Sequence, residues 1–328
     1  MIQSQTKTET PDPFISAIHK TPAEFHNILT DGGAGDLICE LVAVDYNIRN
    51  YPETHFHVWV PDYLLEFAKH VLPPLSTVRP FSRAEAKFRH DIQGMSTQWI
   101  TNHTCMRTHP VDYGFHMLSD RHIYDLNKKN YLQVRPEELF IKEFHLPEKY
   151  VCLVSSASEP IKAMPIPTMN ALIDYVLAKG YTPVFIGKEK AEIGFNEMEL
   201  KAQLLPIDRA KGIDLTNKTT LCQAAGVIAG AKCIIGLDGG MIHLAGCTDT
   251  WIVAGYTLVD PIHVAPIRKG SQTYKFRAIE PDANTPNRYY QTYGSGFKKG
   301  DYRKFPGWQK VVANMTADKF IPVLNEIL

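Results

Sequence analysis

The segment CIIGLDGGMIHLAG (residues 233–246) combines an apolar run, a glycine turn and an apolar pattern with helical spacing. These features predict a buried strand that runs through the turn directly into a helix. The free N–H groups at the start of such a helix favour the binding of phosphate groups. We therefore expect the N–H groups of Gly239, Gly240 and Met241 to contact a diphosphate.

Two side chains of this segment are candidates for specific contacts. Asp238, at the end of the predicted strand, can accept hydrogen bonds from a ribose or sugar hydroxyl. His243, one helical turn further along, can donate a hydrogen bond to a phosphate. The alternative is a structural turn followed by a core histidine, and the segment alone does not separate the two interpretations.

The rest of the second half alternates between strand-like and helix-like patterns. Because strands joined by single helices need crossover connections, this alternation predicts a parallel sheet that is covered on both faces. The predicted strands cover residues 150–155, 182–187, 212–216, 233–238 and 251–256, and the predicted helices cover residues 168–179, 219–230 and 241–246.

A second glycine turn, DGGAGD (residues 31–36), lies near the start of the chain. Gly33 and Gly35 would let the backbone approach a ligand closely. Asp36 would lie at the start of the following helix, where its carboxylate could take the proton from a hydroxyl that attacks a sugar. The alternative is that Asp36 only caps the helix.

The first half repeats the strand and helix alternation, so each half is predicted to be a Rossmann-like α/β domain. Residues 127–149 are charged and contain two prolines, which is typical of a linker. We predict one domain over residues 1–140 and another over residues 141–328. The predicted strands of the first half cover residues 25–30, 55–61 and 77–81, and its predicted helices cover residues 37–49, 63–71 and 111–119.

The composition is that of a globular protein without excess charge. The 328 residues include 35 Lys and Arg and 35 Asp and Glu, so attraction of the whole molecule to a polyanion is not indicated. The six cysteines form no C-x-x-C pair and no D-x-D or P-loop motif occurs, so we expect no metal site and no cofactor. The polar N-terminus and the lack of a bilayer-spanning apolar run predict a cytoplasmic protein.

Positive charge is concentrated in two places. Residues 268–310 contain ten basic and three acidic residues, a net charge of +7, together with interleaved aromatics. Such a segment can bind nucleotide phosphates, a phosphorylated saccharide or nucleic acid, and a solvated loop explains it equally. Arg79 and Arg83 belong to a shorter basic run that could bind an acidic acceptor or form a solvated helix face.

Lys162 is a single basic residue in a predicted loop after the first strand of the second half. Its ammonium could neutralise a departing diphosphate or simply be solvated.

Taken in order, these features resemble the heptosyltransferase family, glycosyltransferase family 9. That family has a turn ending in Gly-Asp, then Lys-x-aromatic-Pro, D-L-x-x-K-T-S-L, D-[ST]-G-x-x-H-L-A and a later Asp-Pro. The corresponding stretches here are Gly35-Asp36, KAMP (residues 162–165), DLTNKTTL (residues 214–221), DGGMIHLA (residues 238–245) and Asp260-Pro261. This sequence departs from the family motifs at two positions, with Gly239 in place of Ser or Thr and Met164 in place of the aromatic residue, and these departures leave the identity of the donor open.

The resemblance implies a GT-B fold, in which two Rossmann-like domains with parallel sheets face each other across a cleft. It also implies an inverting, metal-independent glycosyltransferase with Asp36 as the base, an acceptor-binding first domain and a donor-binding second domain. Together with the two turns, it predicts acceptor or loop contacts from Gly33, Gly35, Arg79 and Arg83, and donor contacts from Lys162, Gly187, Asp238, Gly239, Gly240, Met241 and His243.

The expected reaction moves a sugar from a nucleotide-diphosphate donor to a saccharide hydroxyl, for example on lipopolysaccharide core. Residues 1–149 hold 15 basic and 19 acidic residues, whereas a phosphorylated core acceptor favours positive charge, so the acceptor stays open. One alternative is transfer to a hydroxylated base in DNA through residues 268–310, and another is a catalytically silent nucleotide-binding protein. Peripheral contact with a membrane also stays open.

Overall fold

Two parallel sheets and one small antiparallel sheet organise the chain. The structure, a computed structural model, describes residues 26–30, 34–50, 56–73, 76–81, 93–95, 132, 134, 141–193, 199–257, 259–266, 268, 273–285 and 307–328.

The first sheet is parallel and belongs to the N-terminal lobe. Its strands are β1 (His26–Thr30), β2 (Phe56–Pro61), β3 (Thr77–Phe81) and β4 (Gln93–Met95), in the spatial order β3-β2-β1-β4. Helix α1 (Ala34–Asn50) connects β1 to β2, and α2 (Asp62–Val71) connects β2 to β3. Residues of β2 alternate between buried and half-buried, as expected for a strand with unequally covered faces.

The second sheet is also parallel and has six strands. They are β5 (Tyr150–Val154), β7 (Thr182–Ile186), β10 (Ile213–Asp214), β11 (Cys233–Leu237), β12 (Trp251–Gly255) and β13 (Phe276–Ile279), in the order β10-β7-β5-β11-β12-β13. An antiparallel sheet beside it comprises β6 (Ser156–Ala157), β8 (Lys190–Ile193) and β9 (Glu199–Leu204).

Helices cover both faces of the six-stranded sheet, and every residue of β5 and β11 is buried, as in strands packed on two sides. A capping box between Thr220 and Gln223 starts one of them, because each side chain hydrogen-bonds the other residue's N–H group. The helices are α3 (Ile166–Ala178), α4 (Leu221–Gly230), α5 (Gly240–Gly246), α6 (Pro261–Val264), α7 (Trp308–Ala313) and α8 (Ala317–Asn325). Short 3-10 turns occur at Lys142–Phe144, Pro160–Lys162 and Arg209–Lys211.

The first, N-terminal lobe (β1–β4 with α1 and α2) and the second, C-terminal lobe (described from residue 141 onward) share one apolar core. Helix α1 packs against α5, and α2 packs against α4, so residues of the first lobe and of one face of the second sheet form a single cluster. A separate cluster fills the opposite face of that sheet, beneath α3 and α8. The contact between α1 and α5 is what brings the two glycine turns together.

The strands and helices predicted for the second half are present, with ends that differ by at most two residues. Helix α1 begins at Ala34 rather than at the predicted Leu37, because Ala34 and Gly35 adopt helical backbone although they add nothing to the apolar pattern. The prediction also missed β4, the antiparallel sheet, β13 and the last two helices. The helix predicted over residues 111–119 lies outside the described residues. Of the predicted linker, Leu132 and Val134 are described and are buried in the shared core, and from residue 141 onward a 3-10 turn precedes β5.

No helix in the described part of the chain is both long enough and apolar enough to cross a bilayer.

Candidate functional site

The starts of α1 and α5 are in direct contact. A Cβ atom placed on Gly35 would lie 2.9 Å from His243 Cδ2 and 3.5 Å from the Cα atom of Gly240. A Cβ atom placed on Gly240 would lie 3.4 Å from the Cβ atom of Ala34. The backbones of the two glycine turns therefore approach each other more closely than larger side chains would permit.

A chain of charged and polar side chains extends from this contact into the second lobe. Lys162 Nζ lies 2.6 Å from Asp238 Oδ2, and His243 Nε2 lies 3.6 Å from Asp238 Oδ1. The other ring nitrogen of His243, Nδ1, lies 3.7 Å from the sulfur of Cys39 on α1. His243 therefore contacts the second lobe through one nitrogen and the first lobe through the other.

The ionisation of this group follows from burial and close pairing. Burial alone would raise the pKa of Asp238, but the Lys162 ammonium and the His243 imidazole hold that pKa well below its usual range. Burial alone would lower the pKa of His243, but the Cys39 sulfur and the Asp238 carboxylate raise it to about 10. At neutral pH the Lys162 ammonium and the His243 imidazolium thus face one Asp238 carboxylate, an arrangement that suits an anionic ligand.

The neighbouring loops leave the carboxyl ends of β5, β7 and β12, where ligands bind in open parallel sheets. Gly187 has a φ of 149°, and a Cβ atom there would lie 2.5 Å from Ser156 Oγ. The hydroxyl of Thr257, just after β12, donates to the carbonyl of Ile161 and so fixes the turn that carries Lys162. The Asp238 cluster is therefore held in place by hydrogen bonds between adjacent loops.

The structure brings Gly35, Lys162, Asp238, Gly240 and His243 together. Gly239 and Met241, the two other predicted donor contacts of this turn, flank Gly240. The Gly239 carbonyl accepts hydrogen bonds from the N–H groups of residues 242 and 243, and the Met241 side chain packs against the shared core.

The remaining predicted residues are placed as follows. The backbone of Asp36 occupies the third position of α1, next to Gly35, inside the first helical turn rather than before it. Arg79 lies apart from the cluster, on the edge strand β3, where it is exposed with its guanidinium 5.9 Å from the ring centre of Trp59. Gly33 and Arg83 lie outside the described residues.

Sequence reasoning missed two residues of the cluster. One is Cys39, and the other is Tyr256, whose pKa is raised by burial and by the nearby Asp238 carboxylate. Cys39 lies three positions after Asp36, which places it on the same side of α1, and this spacing was the available signal. Tyr256 directly follows β12 and is fully buried, so it has the pattern of an ordinary core residue.

Within the described residues, no group of three or more His, Cys, Asp or Glu side chains is arranged to hold a metal ion.

Comparison with known proteins decides the family. The sequence profile of glycosyltransferase family 9 (heptosyltransferase) matches residues 85–288, which is well over half of the chain. The chain belongs to glycosyltransferase family 9. Lipooligosaccharide heptosyltransferase 2 of Haemophilus influenzae is 25% identical to this family 9 protein over 170 residues, which are 52% of this chain and 44% of that one. The chain thus spans less than half the length of this relative.

Solved structures of the family share the fold. The ADP-heptose lipopolysaccharide heptosyltransferase II of E. coli superimposes with a TM-score of 0.61 at 15% identity, over 92% of this chain and 98% of that one. The iron-containing heptosyltransferase TibC, solved with ADP-D-beta-D-heptose, superimposes with a TM-score of 0.65 at 13% identity, over 94% and 76% of the two chains. This family 9 protein therefore has the predicted α/β GT-B architecture.

Proposed function

We propose that this family 9 protein transfers a sugar from a nucleotide-diphosphate donor to an acceptor hydroxyl. The observation that carries the proposal is the Lys162, Asp238 and His243 cluster, which meets the start of α1 next to Asp36. A cationic cluster on one lobe and an acidic residue at the adjoining helix start of the other are the two groups that glycosyl transfer needs.

The donor is proposed to bind at the cluster through its diphosphate. The Lys162 ammonium and the His243 imidazolium would offset the negative charge that develops as the diphosphate departs. The N–H groups of Gly239, Gly240 and Met241 would add hydrogen bonds, and the loop at Gly187 would border the nucleotide. ADP-heptose is the proposed donor, because the solved heptosyltransferases are described with it.

Of the two departures from the family motif, Met164 is buried in the core beneath the sheet, and this burial supports a packing role. Gly239 provides no hydroxyl, so its contribution to the donor site is limited to its backbone. The panel of donors tested should therefore include sugars other than heptose.

The proposed reaction is a single displacement. The acceptor hydroxyl attacks the anomeric carbon from the face opposite the nucleotide, its proton passes to the Asp36 carboxylate, and the bond to the diphosphate oxygen breaks with inversion of configuration. In this proposal Lys162 and His243 provide the positive charge that a metal ion provides in other transferases. Metal independence stays a prediction, and a chelator titration of turnover tests it.

The acceptor is proposed to be a saccharide hydroxyl, as on lipopolysaccharide core, bound by the first lobe in the cytoplasm with or without contact to a membrane surface. Residues 1–140 and 141–328 remain the proposed division between acceptor and donor domains. Arg79, exposed on β3, is the described basic residue that could meet an acidic acceptor there.

No observation favours transfer to DNA. Within the described part of residues 268–310, Arg268 is buried and donates to four backbone carbonyls. Lys275 pairs with Asp249 at 2.6 Å, and the guanidinium of Arg277 lies over the ring of Trp251. These three cations are engaged within the chain, and Lys310, the fourth described cation of the segment, is exposed on α7. The described cations therefore do not form a strip of free charge along which a strand would bind.

The proposal is tested first by thermal-shift measurements against ADP-, UDP-, GDP- and CDP-sugars, followed by transfer assays with the sugar that stabilises the protein most. We expect Asp36→Asn to lower turnover by about 10²- to 10⁴-fold, the usual contribution of a general base, while donor affinity changes little. Asp62→Asn, at the exposed start of α2, is the matched control and should retain activity.

An Asp36→Asn variant with full turnover would remove Asp36 from its proposed role. A wild-type protein that binds nucleotide sugars but transfers none to any saccharide would support the catalytically silent alternative.

A further inference from the structure

The hydroxyl of Tyr256 is buried next to the proposed donor site without a hydrogen-bond partner among the described residues. Tyr256 is fully buried, and its oxygen is one of a small number of buried side-chain atoms that lack a partner. Asp238 Oδ1 also has no hydrogen bond, because Lys162 bonds the second carboxylate oxygen, Oδ2, and His243 Nε2, at 3.6 Å from Oδ1, forms an ion pair just beyond hydrogen-bond distance. Such atoms are rare in folded proteins, because an unpaired buried polar group costs free energy.

The strand register places these two residues side by side. In the parallel pair of β11 and β12, Leu237 is opposite Gly255, and the N–H group of Asp238 donates to the Gly255 carbonyl at 2.9 Å. Asp238 directly follows the last residue of β11, and Tyr256 directly follows the last residue of β12, so both residues lie at the same edge of the sheet. Since paired positions of neighbouring strands carry side chains on the same face, both side chains emerge on one side of the sheet.

Electrostatics agrees with this placement. Burial, together with the nearby Asp238 carboxylate and Cys39 sulfur, raises the pKa of Tyr256 well above its usual range. The hydroxyl therefore keeps its proton and is available as a donor, whereas the ionised carboxylate of Asp238 can only accept.

We propose that Tyr256 Oη and Asp238 Oδ1 together bind one hydroxyl oxygen, with Tyr256 donating a hydrogen bond to it and Asp238 accepting one from it. The bound oxygen must accept and donate at once, which a sugar hydroxyl or a water can do. A fully ionised phosphate oxygen has no proton to donate, so the diphosphate is the wrong ligand for this pair. The occupant is a hydroxyl of the donor sugar or an internal water, and the sugar alternative rests on the proposed function.

The test compares two tyrosine variants of the same domain. Tyr256→Phe removes the hydroxyl in question and leaves the ring, which packs edge-to-face on Phe276 with 6.2 Å between the ring centres. Tyr150→Phe is the control, because Tyr150 is also buried but its hydroxyl already donates to the Val227 carbonyl at 2.7 Å. The thermal midpoint of the free protein and the affinities for ADP and for ADP-heptose are measured for both variants.

If a sugar hydroxyl occupies the site, Tyr256→Phe should weaken ADP-heptose binding by about threefold to tenfold, the effect of one neutral hydrogen bond. Its affinity for ADP should stay at the wild-type value. If a water occupies the site, the thermal midpoint of free Tyr256→Phe should fall as it does for Tyr150→Phe, while both affinities are retained.

Two results would overturn the proposal. One is a Tyr256→Phe protein with an unchanged or raised thermal midpoint and unchanged affinities, because the hydroxyl would then bind nothing. The other is an equal loss of affinity for ADP and ADP-heptose, which would assign the hydroxyl to the nucleotide. Wild-type protein that binds neither ligand would contradict the proposed function instead, and the thermal midpoints would still decide whether Tyr256 binds a water.

Discussion

Gly35 at the start of α1 is the position where a single methyl group should have the largest effect on the site. A Cβ atom there would lie 2.9 Å from His243 Cδ2, whereas ordinary contacts begin near 3.4 Å. The His243 ring or the whole start of α1 must therefore move by about 0.5 Å, the difference between these two distances. The ring is held on both sides, by Asp238 at 3.6 Å and by Cys39 at 3.7 Å.

Two opposing effects set the magnitude for Gly35→Ala. Alanine favours helix over glycine by about 1 kcal/mol in a helix interior, and overpacking of a buried contact costs about 1–3 kcal/mol. We expect a net loss of about 1 kcal/mol in the free energy of unfolding, measured by urea denaturation. Donor affinity should fall by about tenfold, which corresponds to about 1.4 kcal/mol, because His243 no longer holds its position.

Matched variants separate this clash from a general defect. Gly240→Ala places its Cβ atom 3.4 Å from Ala34, a much milder contact, and should affect stability and affinity less. In a His243→Ala background the clash is absent, so Gly35→Ala should cost nothing in stability, a non-additivity that a double-mutant cycle detects. Equal costs of Gly35→Ala in both backgrounds, or wild-type donor affinity of the single variant, would refute the reasoning.

Two further predictions concern the charges of the cluster. Lys162→Met should lower the free energy of unfolding by about 3 kcal/mol in urea denaturation, because it leaves the Asp238 carboxylate buried without its ammonium partner. Lys211→Met is the control, since Lys211 pairs with Asp174 at the same 2.6 Å but on the surface, and equal losses would contradict the argument. His243 should make stability fall as pH rises from 6.5 towards 10, because its folded pKa is raised from 6.5 to about 10 and the stabilisation is complete only below the unfolded value. His243→Gln should remove that part of the pH dependence, and an unchanged slope in the variant would assign it to other groups.

Much of the second lobe could be predicted from sequence, because its signals are local. The apolar run CIIGL and the glycine turn after it predict a buried strand followed by a turn. The structure confirms this prediction, with β11 at Cys233–Leu237 and α5 beginning at Gly240. The start of α4 was also close to its predicted place, since Thr220 and Gln223 carry their capping signal within four residues. Boundaries were less accurate where the signal was weak, as at α1, whose first two residues are Ala and Gly.

The antiparallel sheet could not be predicted in the same way. The alternation of polar and apolar residues in β8 (KAEI) and β9 (ELKAQL) was the available signal for these two short strands, whereas the two-residue β6 has no pattern of its own. Their pairing is long-range, as between Ser156 and Leu204, and a single sequence contains no record of which distant segments meet.

For the site, the sequence by itself determined which residue types stand at the ends of strands and the starts of helices: the two glycine turns, Asp36, Lys162, Asp238 and His243. Only the tertiary structure decided that Gly35 contacts His243, that Lys162 and His243 share one carboxylate, and that Cys39 and Tyr256 join them. The physical reason is distance along the chain. Local periodicity specifies an element from its own residues, whereas these contacts join residues up to about 200 positions apart. The contacts of Gly35 and Cys39 with His243 form only when α1 packs against α5.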